Sequence, residues 1–366
     1  MLSQTRERKA DHIKICLEEN VQARQVTTGF EDVHLIHRAL PEIKRNKISL
    51  STTIFNHKFS APLMVDAITG GTAEATKINV AIAEAVEELG LGMGIGSQRA
   101  AIENPKLENT FAVARKKAPT AFLAANLGGA QLNRGYGVKE AKKAVEMIDA
   151  DALVIHLNPL QEAVQPEGET NYEGVLKKIG EIAHALAVPV IVKETGAGVA
   201  AEEAEKLESV GVGGIDVAGA GGTSWAAVEY YRARMKKNKF SQRLGETFWD
   251  WGIPTTISVA EVAQSTSVTL IASGGIRTGS DVAKALAVGA HITSLSSPIL
   301  QPATESSEEV KNTLSLIIEE LRNVMFLVAA KSVEKLRKIP VVITGKTAEW
   351  LQMRGFHPEL YAKRKN

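Results

Sequence analysis

The stretch from His156 to Glu162 reads "HLNPLQE" and directly follows the apolar run "ALVI". It places an imidazole, two carboxamides and a carboxylate where a core strand is expected to end. Buried polar groups cost free energy unless they find partners, so the cluster indicates either a hydrogen-bonded turn or a working site. Glu162 could hold Mg²⁺, which usually takes one or two carboxylates plus phosphate oxygens. A solvated surface charge is the commoner role of a single glutamate.

A second group of polar residues follows other apolar runs. Lys193 ends the run "IVK", where its charge needs an anion, a carboxylate or an electron-rich ring. An internal ion pair with Glu194 or Asp216 would satisfy it equally well. Asn126 and Thr69, each at the end of its own run, can hydrogen-bond a planar heterocycle that has both donors and acceptors.

Glycine-rich loops near residues 221 and 274 are typical of phosphate binding. The segment "ASGGIRTG" places Gly274, Gly275 and Arg277 just ahead of a helical pattern, and "AGAGGTSW" adds Thr223. Glycines let backbone N–H groups approach an anion, and a helix N-terminus favours negative charge. A turn without ligand explains glycines too, but FMN, with its phosphate and amide-like ring edge, would satisfy all these features together.

Basic residues elsewhere could bind a second anion. Arg8 and Lys9 lie near the N-terminus, where basic side chains are usually solvated. Arg99 ends "GSQR" directly after an apolar run and is less easily explained as a surface charge.

The elements that would position these residues alternate between short apolar runs and longer segments of helical period, which predicts strand–helix repeats. Eight strands are expected: "APLMVDAI", "GLGMGIG", "AFLAANL", "ALVIHLN", "PVIVKE", "GIDVAG", "TLIASGG" and "HITSLSS". Eight units over about 250 residues fit an α/β fold of the (β/α)8 TIM-barrel class, whose strand ends converge on one catalytic face. A doubly wound open sheet is the alternative.

We predict a single domain over residues 1–366. It comprises an N-terminal extension (1–60) with a small ribbon over one barrel end, a barrel core (61–298), and C-terminal helices with a cap (299–366). A long irregular insertion is expected after the sixth strand, from about Gly222 to Pro254, and such insertions are commonly binding or lid loops.

Composition excludes several classes of function. The 43 basic and 42 acidic residues give a net charge of +1, which offers no general attraction to nucleic acid or an anionic membrane. The single cysteine, Cys16, excludes an internal disulfide and a multi-cysteine zinc site. The charged start lacks the apolar core of a signal peptide, and no apolar run approaches about 18 residues, so we expect a soluble, cytoplasmic protein.

The motifs "RKADH", "ITGG", "GSQR", "NLGG", "HLNPLQE" with "QPEGE", "VKETGAG", "AGAGGTSW", "WGIPT" and "ASGGIRTG" together resemble the type 2 isopentenyl diphosphate isomerases, in order and over nearly the whole chain. "HLNPLQE...QPEG" and "GGTSW" are specific to that family, whereas "SGGIRTG" is shared by many flavin barrels. The resemblance implies interconversion of isopentenyl and dimethylallyl diphosphate on an FMN-containing barrel, with Mg²⁺, reduced flavin and a homotetramer or homo-octamer. NADPH is the expected reductant, with NADH or a partner protein left open.

The resemblance also implies roles for individual residues. Gln161 and His156 would be catalytic beside the flavin, and Glu162 would bind Mg²⁺. Substrate contacts would come from Arg8, Lys9, Ser97, Gln98, Arg99, His156, Asn158 and Gln161. FMN contacts would come from Ala67, Ile68, Thr69, Ser97, Asn126, Lys193, Thr223, Gly274, Gly275, Arg277, Ser296 and Ser297. The chain departs from the family pattern in "AIT" where "GMT" is expected and in "SLSSP" where a "GLA" type segment is usual, although Ser296 and Ser297 can still hydrogen-bond a phosphate.

Other FMN barrels remain as alternatives. A 2-hydroxy-acid oxidase needs a histidine base after the sixth strand, and "IDVAGAGGTSW" contains none. A thiol-dependent dehydrogenase needs a loop cysteine, but Cys16 lies in the N-terminal extension. A flavin-binding protein without catalysis would show no perturbation of its reduced flavin spectrum by isopentenyl diphosphate.

Overall fold

The computed structural model describes the backbone of residues 2–364 and the side chains of residues 8–364. Eight parallel strands close into a barrel in which each strand pairs with the next along the chain and the eighth pairs with the first. The barrel strands are Leu63–Val65, Gly92–Gly94, Phe122–Gly128, Ala152–His156, Val190–Lys193, Gly214–Asp216, Thr269–Ala272 and Ile292–Leu295. The predicted barrel is confirmed, and the open sheet is excluded.

Burial on both faces explains why the strands read as continuous apolar runs rather than alternating ones. All seven residues of Phe122–Gly128 are buried. Strands of a parallel barrel are covered by helices outside and by side chains inside, so every position is shielded from water.

Helices follow each strand and form the outer layer. The α-helices up to the sixth barrel strand are Leu2–Glu18, Ala73–Leu89, Arg99–Glu103, Asn109–Lys117, Gly129–Leu132, Val138–Met147, Pro159–Val164, Val175–Ala185 and Ala201–Ser209. The later ones are Trp225–Met235, Lys239–Thr247, Thr255–Ser265, Gly279–Val288, Ser297–Glu305, Ser307–Leu327, Val333–Leu336, Gly345–Met353 and Glu359–Ala362. Short 3-10 turns lie at Phe30–Asp32, Arg45–Lys47 and Pro105–Leu107.

The helix Ala73–Leu89 illustrates how the sequence sets these elements. The Thr72 side chain accepts the Ala75 N–H at its start, and Gly90 takes a left-handed conformation (φ 63°) at its end. Ile78, Ile82 and other apolar residues three and four apart bury one face against the barrel.

The predicted ribbon is confirmed at the amino end of the barrel. Thr52–Ile54 and His57–Phe59 pair in an antiparallel hairpin. Ile54 and Phe59 pack with the inward side chains of Phe122 and other strand residues, so this end is closed by apolar contact.

The insertion after the sixth strand is mostly helical, so the prediction of an irregular segment was wrong. Trp225–Met235 and Lys239–Thr247 are capped by Ser224 and Asn238. The first of these helices shows no apolar stripe because it buries two charged residues, Glu229 and Arg232, which pair with each other. Periodicity of apolar residues therefore could not reveal it.

The chain termini are tied to the same body. Val33–Leu35 pairs antiparallel with Val341–Ile343, and the predicted amphipathic helix after the barrel is Ser307–Leu327. One apolar cluster includes residues from Ile13 to Tyr361, which supports treating the chain as one domain. In the described residues, no helix is long and apolar enough to cross a membrane.

Candidate active site

A cavity of about 280 Å³ lies at the carboxyl ends of the barrel strands. Of the residues predicted to form a site, those that line it are Arg8, Lys9, Ala67, Ile68, Thr69, Ser97, Arg99, Asn126, His156, Asn158, Gln161, Glu162, Lys193, Thr223, Gly274, Gly275, Arg277, Ser296 and Ser297. The barrel thus brings together residues spread over nearly the whole chain.

Gln98 is the exception, and its predicted contact with substrate is not supported. Its side chain is fully buried, donates to the Ala144 carbonyl at 2.8 Å and accepts the Asn126 N–H at 2.9 Å. Both ends of the carboxamide are therefore used inside the protein, where Gln98 supports the strand that carries Asn126.

Close backbone packing shapes the glycine-rich side of the cavity. Gly274 and Gly275 have φ values of 95° and 71°, which residues with a side chain rarely adopt. A Cβ atom on Gly222 would lie 2.4 Å from the Gly275 nitrogen, so the two glycine loops touch backbone to backbone. This packing leaves the cavity open for a ligand rather than filled by side chains.

A cation without an ionic partner and a hydroxyl without a hydrogen-bond partner line the same side. Arg277 donates to the Gln22 side chain and the Ile276 carbonyl but forms no ion pair within the described chain, and burial lowers the pKa of its guanidinium. The Ser294 hydroxyl is buried without a hydrogen-bond partner. A half-buried cation and a buried hydroxyl without a partner fit the phosphate of FMN.

Lys193 is held by a buried ionic network at the centre of the barrel. Its Nζ lies 2.6 Å from Asp66 Oδ2 and 3.4 Å from Asp216 Oδ2, while the Ser273 hydroxyl donates to Asp216 at 2.5 Å. Burial opposes the lysine's charge, but Asp216 and Asp66 outweigh it and raise the pKa. The predicted pairing with Asp216 is confirmed, whereas Glu194 instead accepts three backbone N–H groups.

His156 is neutral at physiological pH. Burial, with the charges of Lys193 and Lys9, lowers its pKa to about 4. Its Nδ1 lies 2.8 Å from Asn126 Oδ1, a carbonyl oxygen that can only accept, so the imidazole donates there and Nε2 is left as an acceptor. His156 can therefore accept a hydrogen bond in the cavity but cannot serve as a cationic anchor.

Gln161 is oriented by two residues, one of which sequence reasoning missed. Its Nε2 donates to Glu229 Oε1 at 3.1 Å, and its Oε1 accepts from Asn158 at 3.1 Å. Burial alone would raise the pKa of Glu229, but hydrogen bonds from His12 and Gln161 and the Arg232 charge lower it to about 2. An ionised carboxylate thus lies directly behind Gln161.

His12 and Trp225 lie in the motifs "RKADH" and "AGAGGTSW", but the sequence predicted no role for either residue. The His12 imidazole lies 3.0 Å from Glu229 and 5.2 Å, edge to face, from the Trp225 ring, and both residues line the cavity. Glu229 carried no sequence signal because it lies inside a segment without apolar periodicity.

Glu162 is buried and has no cationic partner among the described residues. Its two oxygens accept from Asn158 at 3.0 Å, from Gln165 at 2.6 Å and from the Glu169 N–H at 2.6 Å. The Gln165 side-chain oxygen beside it is buried without a partner. The buried Glu162 carboxylate and the unpaired side-chain oxygen of Gln165 fit a divalent cation whose remaining ligands are phosphate oxygens. No cluster of three acidic, histidine or cysteine ligands occurs in the described part of the chain.

Three basic residues converge opposite the glycine loops. Lys9 donates to the carbonyls of Gly70 (2.7 Å) and Ser97 (3.0 Å), which draws the N-terminal helix onto the cavity. Burial and the charges of Arg8 and Arg99 lower the pKa of Lys9 to about 7. The terminal pair is therefore not simply solvated, and the cavity has a second cationic region.

The model of the FMN-dependent dehydrogenase family matches residues 3–121 and 168–342. Proteins named isopentenyl-diphosphate delta-isomerase are similar over the full length. That of Methanosarcina barkeri is 51% identical over 362 residues, covering 99% of this chain and 98% of its own. That of Pyrococcus furiosus is 50% identical over 365 residues, covering 98% and 91%.

Solved structures with the same fold include a mandelate oxidase (TM-score 0.60, 20% identity, 87% of this chain and 90% of that chain). Another is a lactate oxidase described as putative, from Pediococcus acidilactici (TM-score 0.62, 19% identity, 88% of each chain). At these identities the likeness concerns the fold alone.

We expect Lys193→Met to lower the free energy of unfolding by about 3–5 kcal/mol, because it leaves Asp66 and Asp216 buried without their cation. Denaturant unfolding would measure this. Lys177→Met is the matched control, since the Lys177 side chain is 84% exposed. Adding Asp216→Asn to Lys193→Met should recover part of the loss, and a single variant as stable as the control would contradict the network's role.

Proposed function

The chain belongs to the type 2, FMN-dependent isopentenyl-diphosphate delta-isomerases, and on that premise we propose that it converts isopentenyl diphosphate to dimethylallyl diphosphate in isoprenoid biosynthesis. The observation that carries the proposal is one cavity with two separate cationic regions. Arg277 and the glycine loops fit a cofactor phosphate, and Lys9 with Arg99 fits a second, substrate anion. An FMN enzyme acting on a diphosphate needs both.

The segment that distinguishes this chain from the dehydrogenases supports the same proposal. Residues 122–167 lie outside the match to the dehydrogenase family model. They include Asn126, His156, Gln161 and Glu162, four residues of the cavity wall. The shared parts of the barrel would supply most of the FMN contacts, whereas this segment would add Asn126 to them and would supply the chemistry specific to isomerisation.

Arg8, Lys9 and Arg99 would bind the substrate diphosphate. Arg99 is held in place by Glu103 at 2.7 Å and more loosely by Glu169 at 3.7 Å. A pre-positioned guanidinium loses little conformational freedom when it binds an oxyanion. Ser97 and Asn158, on the cavity wall, would add polar contacts.

Mg²⁺ would be held by Glu162 together with diphosphate oxygens. The contacts from Asn158, Gln165 and the Glu169 N–H fix the carboxylate without neutralising it. A divalent cation would compensate that buried charge and part of the charge of the diphosphate.

The reaction adds a proton at one end of an unactivated alkene and removes another elsewhere, which an ordinary side chain at neutral pH does poorly. Reduced FMN, when bound, would supply a ring proton and an electron-rich face near the alkene. Thr69, Asn126 and Lys193 would orient the ring, and the Ser296 and Ser297 hydroxyls would contact the phosphate. Gln161 and the neutral His156 would orient the alkene end, with Gln161 held in one direction by Glu229.

Supporting conditions are also part of the proposal. NADPH would reduce the flavin, and the single Cys16 fits the reducing environment of the cytoplasm. Assembly as a homotetramer or homo-octamer is supported by exposed apolar side chains on the helical insertion and its end, Met235, Phe240 and Trp251.

An anaerobic assay tests the proposed function directly. We expect purified protein with FMN, Mg²⁺ and a chemical reductant to form dimethylallyl diphosphate, and an identical oxidised sample to form none. Chelation of Mg²⁺ should abolish the product because the diphosphate would lose its bridge to Glu162. A folded, FMN-loaded protein without product in either sample would contradict the proposal.

Lys9 predicts a pH dependence of kcat/KM, which reports groups of the free enzyme. With its pKa at about 7, Lys9 is charged below that pH and neutral above it, so its attraction for the diphosphate weakens as pH rises. We expect kcat/KM to fall above about pH 7.

In Lys9→Arg this falling limb should move up by at least about one pH unit, because arginine stays protonated. Lys14→Arg is the control on the same helix, since the Lys14 side chain is 60% exposed. An unchanged limb in Lys9→Arg would assign the pH dependence to another group.

Gln161→Ala should lower kcat by about 100-fold with little change in KM, because the alkene loses its positioning group while the cationic region stays intact. Steady-state kinetics measure the split. Gln301→Ala, at an exposed glutamine, should behave as wild type. Turnover at the native rate in Gln161→Ala would show that this carboxamide has no part in the reaction.

A further inference from the structure

A second cavity, which we call the basal cavity, lies at the opposite end of the barrel from the candidate active site. Its volume is about 450 Å³, within the range of small-molecule pockets. One wall is formed by residues that precede the seventh and eighth barrel strands, including His291. The other wall is formed by the C-terminal segment, including Arg337, Tyr361 and Arg364.

Arg337 and Arg364 bring two guanidinium groups to this cavity without a carboxylate partner in residues 8–364. Arg337 donates to the Gly289 carbonyl at 3.2 Å, but its Nε is buried without any acceptor. Arg364 donates to the carbonyls of Ala287 (2.6 Å) and Arg337 (3.1 Å). Its guanidinium lies 4.3 Å from the Tyr361 ring centroid. Carbonyl groups and an aromatic ring orient these cations but do not neutralise them.

The acids of this segment are engaged elsewhere. Glu334 pairs with Lys338 at 2.6 Å, and Glu359 lies 3.2 Å from His357. Burial and the charge of Arg364 lower the pKa of Arg337, and the charge of Glu334 raises it by less. Glu334 therefore neutralises Arg337 only in part. Two partly buried like charges destabilise each other unless an anion lies between them.

His291 adds a neutral donor. Its Nδ1 accepts the Leu270 N–H at 3.0 Å. Burial and the charge of Arg337 lower its pKa to about 4, so the imidazole is neutral and carries its proton on Nε2. A neutral donor beside two guanidinium groups is suited to an oxyanion.

We propose that the basal cavity binds a small phosphate-bearing anion, with Arg337 and Arg364 as its charged contacts and His291 as a further donor. Two uncompensated guanidinium groups match a multiply charged group such as phosphate or diphosphate better than a single carboxylate. Val268, Leu270 and Leu360 on the cavity wall leave room for an apolar portion of the same molecule.

Calorimetric titration of the FMN-loaded full chain with inorganic diphosphate tests the proposal. The variant is Arg337→Gln/Arg364→Gln. The control is Lys177→Gln/Lys206→Gln, which removes the same charge at side chains that are 84% and 61% exposed. Diphosphate that binds at the catalytic end contributes equally to all three proteins, so the difference between them isolates the basal cavity.

We expect wild type and control to bind one more equivalent of diphosphate than the arginine variant, or to bind that equivalent more than tenfold tighter. Leu360→Glu, at a 55% exposed position on the cavity rim, should weaken it similarly without removing a buried contact. Thermal melting confirms that each variant is folded. Repeating the titration with isopentenyl diphosphate shows whether an apolar tail strengthens binding over inorganic diphosphate.

Equal binding in wild type, control and both cavity variants would overturn the proposal.

Discussion

The buried contact of Lys193 with Asp66 and Asp216 is the constraint on which the active end of the barrel depends. It joins the fifth strand to the end of the first and to the sixth, in a region where an unpaired charge would be prohibitive. Burial is the main cause of the lowered pKa of His156, and the charge of Lys193 lowers it further, so that imidazole stays neutral. One ion network thus stabilises the fold and contributes to the neutral state of His156 on the cavity wall.

Charge is distributed unevenly around the cavity, so that the proposed contacts with the cofactor phosphate are separate from those with the substrate diphosphate. Arg277 and the glycine loops lie on one side, while Lys9 and Arg99 lie on another. The buried carboxylates of Glu162 and Glu229 belong to neither cationic region. Glu162 has no cationic partner in the described chain, whereas Glu229 is paired with Arg232 and His12. The difference fits Glu162 as a metal ligand and Glu229 as a fixed support for Gln161.

The two ends of the barrel follow opposite physical rules. At the amino end, Ile54 and Phe59 of the hairpin fill the interior with apolar contacts. At the carboxyl end, buried polar groups are paired individually, as Gln98 accepts the Asn126 N–H, and a few such as the Ser294 hydroxyl are left without a protein partner. Apolar packing provides stability without specificity, and the stable end allows the other to hold costly polar groups.

The sequence by itself determined the eight strands, the ribbon and the polar strand-end residues of the cavity such as Asn126, His156 and Lys193, because apolar runs, glycines and strand-end polar residues are local signals. The family resemblance added further cavity residues such as Lys9 and Ser296. The sequence could not identify Glu229, Asp66 or the inward-facing role of His12, since their partners are distant in sequence. It also misjudged Gln98, whose position in "GSQR" is compatible with either face of the wall. Only tertiary structure decided these cases, because burial and pairing of a polar side chain depend on which distant residue the fold brings to it.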